Sequence, residues 1–489
     1  MGFNLSLSKK QITSLTNDAS EAADLILEHV KKGNSIHVHS HVDADGLSAA
    51  GIMGKALLRA GASFRLRLER WMDEKVADRI ASENAPLTVF TDMGSGYLDL
   101  LGERLANRDV VILDHHKPIE EELPSGFVQV NPHVHGIDGT RDISGAGVAY
   151  FAANAMDKNN LDLACLAIVG ALGDLQDKNK ERKLGSINQI IVEDAIKSGF
   201  LKVETDLLFF GRETRPIHQA LARTTNPFIP EISGEEDKSL AFLMNLGIKP
   251  KRNDKWRALR DLSSEEKKKL LSAIADHLVS KGLAGDIAFD LVGEVYILTH
   301  EEPWTPLRSA REFSVLLNAT GRMDKAGLGA AICMGDRKKC LEEATAVIQD
   351  YRSTITKYLR WVTEKKGRLE ELENIYVVRG DGFIDEKVIS PVCTILSTTL
   401  TKLGKPLIAY ATISGEDQVK VSSRGSEPLI QKGLNLGDIM QFASEKFSGR
   451  GGGHDVAAGA QIPIKNVEPF IKLVNDLVKK QLAGEQIGG

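Results

Sequence analysis

The chain has 489 residues, 42% of them apolar and 26% charged, with a formal net charge of −5; this is the composition of a soluble globular protein, too long for one core, so two to four domains are expected. Its four cysteines, Cys165, Cys333, Cys340 and Cys393, form no CxxC pair, which argues against a zinc ribbon or a disulfide framework and fits a reducing compartment. The longest apolar run, 163–173, is far too short to span a membrane, and no charged-then-apolar leader opens the chain, so a cytoplasmic protein is expected.

The first third alternates between strand-like and helix-like patterns. Residues 35–39 form a short β-rich run and 46–59 a helical pattern rich in Ala and Leu. Residues 64–68 alternate like a strand, and the apolar runs 87–91 and 110–113 end at Asp92 and Asp114. Buried strands followed by amphipathic helices predict an α/β fold with a parallel sheet covered on both faces. Ligands in such folds sit beyond the carboxyl ends of the strands, where His39, Asp92 and Asp114 fall. Residues 161–172 are Ala-rich and helical in pattern, and lead to Gly173-Asp174.

The middle is less regular. Residues 200–223 mix apolar and basic side chains, and 226–234 read as a Pro-punctuated loop. Ser263-Ser264-Glu265-Glu266 is a capping box opening a helix that should stop near Gly282. Between them, residues 249–260 hold six basic side chains, one acid and Trp256, the densest positive segment of the chain. Phosphate-backbone binding depends on such local clusters and not on net charge. The segment is either a nucleic-acid contact with Trp256 as a stacking face or a solvated turn with Trp256 packed inward.

Residues 336–374 are helical in pattern, with Gly367 the single glycine, and would span about 55 Å. The last domain is expected to carry strands at 376–378, 406–412 and 419–422 and helices at 391–403 and 467–482.

Chemistry concentrates in a few motifs. In His39-x-x-x-Asp43-x-Asp45-Gly46 the spacing of two puts both carboxylates on one side of an extended turn, and His39 reaches the same region from the strand end. His41 is a rival for that role. Asp92 precedes Met93-Gly94, and Asp114-His115-His116 ends an apolar run, where such groups are costly to bury without partners. With Asp174 these residues can hold two hard divalent cations side by side, a pair that can clamp the attacking and leaving oxygens of a phosphoryl transfer. Near the C-terminus Gly451-Gly452-Gly453-His454 is expected as a backbone-exposing loop able to approach phosphate, with Arg424 as a second phosphate contact.

The order H-x-x-x-D-x-D, D, D-H-H, D and G-G-G-H resembles the DHH phosphoesterase family with its DHH-associated C-terminal domain. Ser144-Gly145-Ala146-Gly147-Val148 and Leu317-Asn318-Ala319-Thr320-Gly321-Arg322 resemble the RecJ-like subgroup, its archaeal single-strand exonucleases in particular. The resemblance implies a parallel-sheet catalytic domain over 1–199, an insertion region and the end of that domain over 200–335, a connecting helix over 336–374 and a substrate-binding domain over 375–489. It implies Asp43 and His39 on one metal, Asp45, His115 and Asp174 on the other, and Asp92 bridging. His116 and Asp114 would be catalytic, His116 at the scissile phosphate, with Arg424, Gly452, Gly453 and His454 on the substrate. The cofactors implied are two divalent cations, Mn2+ or Mg2+. The partners implied are single-stranded DNA or RNA and, for replication-associated members, the GINS complex and the replicative helicase.

Three functions follow in order of preference: a single-strand exonuclease of replication or repair, a phosphodiesterase of short oligonucleotides or cyclic dinucleotides, and a replication scaffold. The insertion speaks against the second and the intact metal motifs against the third.

Overall fold

The computed structural model describes residues 8–485 apart from 225–226, 228, 283–284, 365–366, 381 and 401–403. It divides into two compact units, Met1–Val347 and Ile348–Gly489.

The first unit is built on five parallel strands, β1 (Ile36–His41), β2 (Phe64–Glu69), β3 (Leu87–Thr91), β4 (Asp109–Leu113) and β5 (Phe127–Val130), in the order β2-β1-β3-β4-β5. Every residue of β3 is buried, as expected of a central strand covered on both faces. Chain order reverses between β1 and β3, and in an open parallel sheet the crevice beyond the carboxyl ends at that point is the ligand position.

Helix Ala44–Arg59 leaves β1 and is buried on almost all sides, because helices Gly145–Met156, Ala164–Gly173 and Ala326–Met334 all pack against it. Its small residues let the partners come close: a Cβ on Gly51 would lie 2.3 Å from Cys333 Cβ. Leu47, Ile52, Met53 and Leu57 are wholly buried there, each contributing about 1.5–3 kcal/mol.

The middle of the chain makes an antiparallel pair, Leu201–Leu207 with Val292–Leu298. The residues between them have a core of their own, including Ile217, Leu221, Leu243, Leu259, Leu270 and Ile274. The capping box is present, Ser263 Oγ accepting from Glu266 N–H at the start of helix Ser264–Ser280. The strand pair was not legible locally, since its two halves are far apart in sequence.

The second unit is a six-stranded mixed sheet, in spatial order Leu369–Glu371, Tyr376–Arg379, Leu407–Thr412, Gln418–Arg424, Ala457–Pro463, Arg450–Gly453. Helices Leu436–Lys446 and Val467–Leu482 close its main core, with Phe470, Ile439 and Val421 among the buried residues. The long helix is Lys339–Glu364, shorter than the pattern over 336–374. Gly367 takes φ +90° and Leu369–Glu371 pairs antiparallel to Tyr376–Arg379, so sheet pairing claims residues that read as helical. Among the described residues no helix is long and apolar enough to cross a membrane.

Candidate metal centre

Three motif residues sit just beyond the carboxyl ends of their strands: Asp43 after β1, Asp92 after β3 and Asp114 after β4. Asp43 is the N-cap of helix Ala44–Arg59, its Oδ1 accepting from Gly46 N–H at 3.0 Å, while Oδ2 lies 2.9 Å from His41 Nδ1. Gly46 matters for proximity, since a Cβ there would stand 2.4 Å from the His41 carbonyl oxygen. Asp92 takes φ +57°, a left-handed conformation that Asp tolerates better than most residues. It projects a carboxylate of which neither oxygen has a hydrogen-bond partner.

The ligand atoms fall into two groups joined at Asp92. His41, Asp43 and Asp92 form one, with His41 Nδ1 3.7 Å from Asp92 Oδ2. Asp45, His115 and Asp174 form the other. His115 Nε2 lies 3.3 Å from Asp174 Oδ2, 3.6 Å from Asp45 Oδ2 and 3.3 Å from Asp92 Oδ1. Asp92 thus turns one oxygen toward each group.

Both imidazoles are fixed in one tautomer. His115 Nδ1–H donates to the Gly139 carbonyl at 2.7 Å, and His41 Nε2–H donates to the Arg70 carbonyl at 3.1 Å. A carbonyl only accepts, so in the neutral rings the lone pairs of His115 Nε2 and His41 Nδ1 face the carboxylates. Such orientation is typical of metal-bound histidine.

The electrostatics point the same way. Burial, reinforced by Asp45 and Asp43, holds the Asp92 carboxyl well above its ordinary range. Burial and then Asp45 raise Asp174. Burial disfavours the charged form of His115, but Asp92, Asp174 and Asp45 outweigh it and raise that imidazole well above its usual value. Burial would also raise Asp43, yet His41, the Gly46 N–H and Arg322 together hold it far below. Four carboxyl groups thus crowd two imidazoles and hold protons there, and two divalent cations would let all four ionise. The mixed oxygen and imidazole donors suit Mn2+, and the carboxylates Mg2+.

Backbone donors set the geometry of the second group. Asp45 Oδ2 accepts from Gly145 N–H at 2.6 Å and Oδ1 from Ala146 N–H at 3.0 Å, at the start of helix Gly145–Met156. A Cβ on Gly145 would fall 2.5 Å from Asp92 Oδ1, and one on Gly170 2.3 Å from Asp45 Oδ1. Asn318 Oδ1 accepts from Ala44 N–H at 3.1 Å. None of these supports was assigned a role from sequence. The signal was a Gly-x-Gly directly after a serine N-cap, and an asparagine amid apolar residues.

Two expectations change. His39 does not join the group around Asp92: its Nδ1 lies 3.2 Å from Glu69 Oε1, it clusters with His37 and Glu83, and its Nε2 is buried without a hydrogen-bond partner. Residues 39 and 41 share a strand face, but only His41 reaches past the strand end to Asp43. Asp114, expected to be catalytic, turns its carboxylate to the backbone and to His116. It is buried and accepts from the backbone N–H groups of Ser95, His115 and His116 and from His116 Nδ1 at 2.8 Å. His116, half exposed, lies with its Nδ1 3.9 Å from Asp92 Oδ1.

In the second unit, Gly451-Gly452-Gly453 is a strand and not a loop, paired with Ala457–Pro463. Helix Leu436–Lys446 packs so close that a Cβ on Gly451 would lie 2.6 Å from the Met440 carbonyl oxygen; a Cβ on Gly452 would meet nothing within 4 Å. Arg424 is in register with Ala457, near the turn holding His454, and its guanidinium donates to Thr394 Oγ1 and the Ser423 carbonyl.

Three matches to known families run along the chain in order: the DHH family, N-terminal domain over residues 35–170, the DHH-CID domain over 209–292 and the DHHA1 domain over 374–480. An uncharacterised protein of Methanocaldococcus jannaschii is 33% identical over 478 residues, covering 97% of this chain and 98% of that one. The single-stranded-DNA-specific exonuclease RecJ of Thermus thermophilus is 33% identical over 172 residues, 32% of this chain and 24% of RecJ. Its crystal structure with Mn2+ superposes with a TM-score of 0.58 at 20% identity over 94% of this chain, which spans 55% of that chain. CDC45 from Entamoeba histolytica superposes with a TM-score of 0.63 at 13% identity, covering 95% of this chain and 99% of that one. These two superpositions show a shared fold. With all three domains present in order and a relative matched end to end, the chain belongs to the RecJ-like DHH family of the hydrolase-like DHH phosphoesterase superfamily.

Proposed function

We propose that this protein is a divalent-cation-dependent exonuclease that hydrolyses phosphodiester bonds of single-stranded DNA or RNA. The observation that carries the reading is Asp92, whose two unpartnered oxygens face two groups of ligands with tautomer-locked imidazoles. His41, Asp43 and Asp92 would hold one cation, and Asp45, His115, Asp174 and Asp92 the other. His39, whose buried Nε2 has no hydrogen-bond partner, stands as the rival of His41 for the first.

Two divalent cations, when bound, supply an acidified water and charge neutralisation at the phosphoryl oxygens. The chain's own part is positional. Asp114 orients His116 through Nδ1, which leaves the half-exposed ring to meet a phosphate oxygen through Nε2. The Gly145 and Ala146 N–H groups fix Asp45 so that both of its oxygens are held before substrate arrives. No serine or cysteine is needed as a nucleophile. Arg424, Gly452, Gly453 and His454 of the second unit would bind the neighbouring phosphates or terminal nucleotide. Mn2+ is the preferred cation, and replication or repair the setting that the RecJ and CDC45 likenesses suggest, with GINS and the helicase as partners to test.

End-labelled single-stranded DNA and RNA of several lengths, incubated with Mn2+, Mg2+ or EDTA, decide the matter. Cation-dependent laddering of long strands from one end is expected. Cleavage confined to dinucleotides would install the short-substrate reading, and no cleavage with any cation would install the scaffold reading that the CDC45 fold invites.

A further inference from the structure

The basic segment resolves into a hairpin, Lys251–Arg252 paired antiparallel with Lys255–Trp256. Its two-residue turn, Asn253 (φ +49°) and Asp254 (φ +60°), has the left-handed backbone of the tightest hairpins. The hairpin stands on buried Ile248, Ala258 and Leu259, while all six of its own residues are exposed, Trp256 to 41%.

Two groups of cations must be separated here. Arg257 and Arg260 are structural: Arg257 makes a bidentate pair with Glu266 at 2.8 and 2.6 Å, and Arg260 pairs with Glu213 at 2.9 Å. Lys249, Lys251, Arg252 and Lys255 make no ion pair among the described residues. Arg252 and Lys255 are direct cross-strand partners, a like-charge juxtaposition that destabilises a hairpin. A local rule broken with no compensation within the fold marks a surface shaped for something else. The aromatic part is also present: Lys251 Nζ lies 4.4 Å from the Trp256 ring centroid, and Arg260 lies over Trp304, itself 50% exposed.

We propose that the Lys251–Trp256 hairpin is a contact for single-stranded nucleic acid, its cations meeting backbone phosphates and Trp256 stacking on a base. The occupant follows from chemistry: cations without an ion-pair partner beside a partly exposed indole, which packs at 4.6 Å on His218, suit a phosphate backbone with a splayed base displacing Lys251 from the ring. The inference rests on the nucleic-acid reading of the metal centre, but the two can fail separately.

The test compares the full-length protein with a Lys251→Ser/Arg252→Ser/Lys255→Ser variant and with Trp256→Ala. Anisotropy of a labelled 20-mer is followed against salt, and hydrolysis of a dinucleotide is measured in parallel. Each phosphate contact adds about 0.7 to the salt slope for a single strand, so the triple variant should lose about 2 from that slope and bind about tenfold or more weakly. Trp256→Ala should bind about fivefold or more weakly with the slope kept. Dinucleotide hydrolysis should match wild type in both, and the melting temperature of the triple variant should not fall below wild type, since the like-charge pair is removed. Unchanged 20-mer affinity and slope in the triple variant would overturn the proposal and leave the hairpin to an acidic protein surface. Failure of wild type to cleave either substrate, with the slope difference intact, would instead overturn the catalytic reading alone.

Discussion

Gly145 shows how little room the metal centre leaves. Its N–H holds Asp45 and its missing Cβ makes room for Asp92, with Asp92 Oδ1 2.5 Å from where that Cβ would be. Gly145→Ala should therefore displace the carboxylate that stands between the two groups while changing none of their residues. Activity should fall about 100-fold or more, in line with a misplacement of about 1 Å, and calorimetry should show at least one cation bound more weakly. Wild-type cation affinity in this variant would show that Asp92 is not shared. His41 and His39 separate by the same measurement. Because only His41 Nδ1 lies within reach of Asp43 and Asp92, His41→Ala should cost more affinity for the first cation than His39→Ala. The reverse order would return the ligand role to His39, with Glu69 as its orienting carboxylate.

At the scale of elements, glycine carries two meanings in the C-terminal sheet. Gly451 is enforced by packing, its absent Cβ within 2.6 Å of the Met440 carbonyl and 2.8 Å of Ser444 Oγ, whereas Gly452 faces open space. Overpacking of this kind costs about 1–3 kcal/mol, so Gly451→Ala should lower the melting temperature of the full-length protein. Gly452→Ala should leave the melting temperature unchanged and raise KM, since the bare backbone there is what a phosphate would approach. A normal KM for Gly452→Ala would remove this strand from the substrate site. Sequence made both residues one backbone-exposing loop, because neither the helix over Gly451 nor the pairing with Ala457–Pro463 leaves a local trace. By contrast β3 and β4, largely apolar runs followed by or ending at Asp, were legible, and Asp45, Asp92 and Asp174, expected beside His115, do lie around its Nε2. The choice between His39 and His41 was not, because alternate residues share a strand face and only the position of the strand end distinguishes them. The carbonyls of Arg70 and Gly139, which fix the imidazole tautomers, carry no side-chain identity that a sequence could display.

For the whole molecule, the acids crowded at the candidate metal centre make stability depend on pH and on cations. In the metal-free chain, Asp92 and Asp174 have folded values above their unfolded ones, so the folded state keeps protons that the unfolded state has released. Stability then falls as pH rises from the ordinary carboxylate range toward the elevated folded values. His115, also raised, contributes stability below its ordinary value and loses it as pH climbs through the folded one. Asp43 and Asp114 are lowered, so their contribution is present above the carboxylate range and is lost only in stronger acid. The metal-free protein should accordingly melt at a higher temperature in mild acid than at neutral to alkaline pH. Cation binding reverses the balance, because the ligands must be deprotonated to bind. Mn2+ at about 100 times its dissociation constant should stabilise the fold by about 2.7 kcal/mol for each site, and most strongly where the metal-free chain is weakest. Asp92→Asn relieves the like-charge crowding, so it should raise the metal-free melting temperature at neutral pH and abolish the response to Mn2+. Scanning calorimetry of both proteins at several pH values, with Mn2+ and with EDTA, measures these quantities directly. A Mn2+ response that survives in Asp92→Asn would place the cations away from Asp92 and dismantle the shared-ligand site.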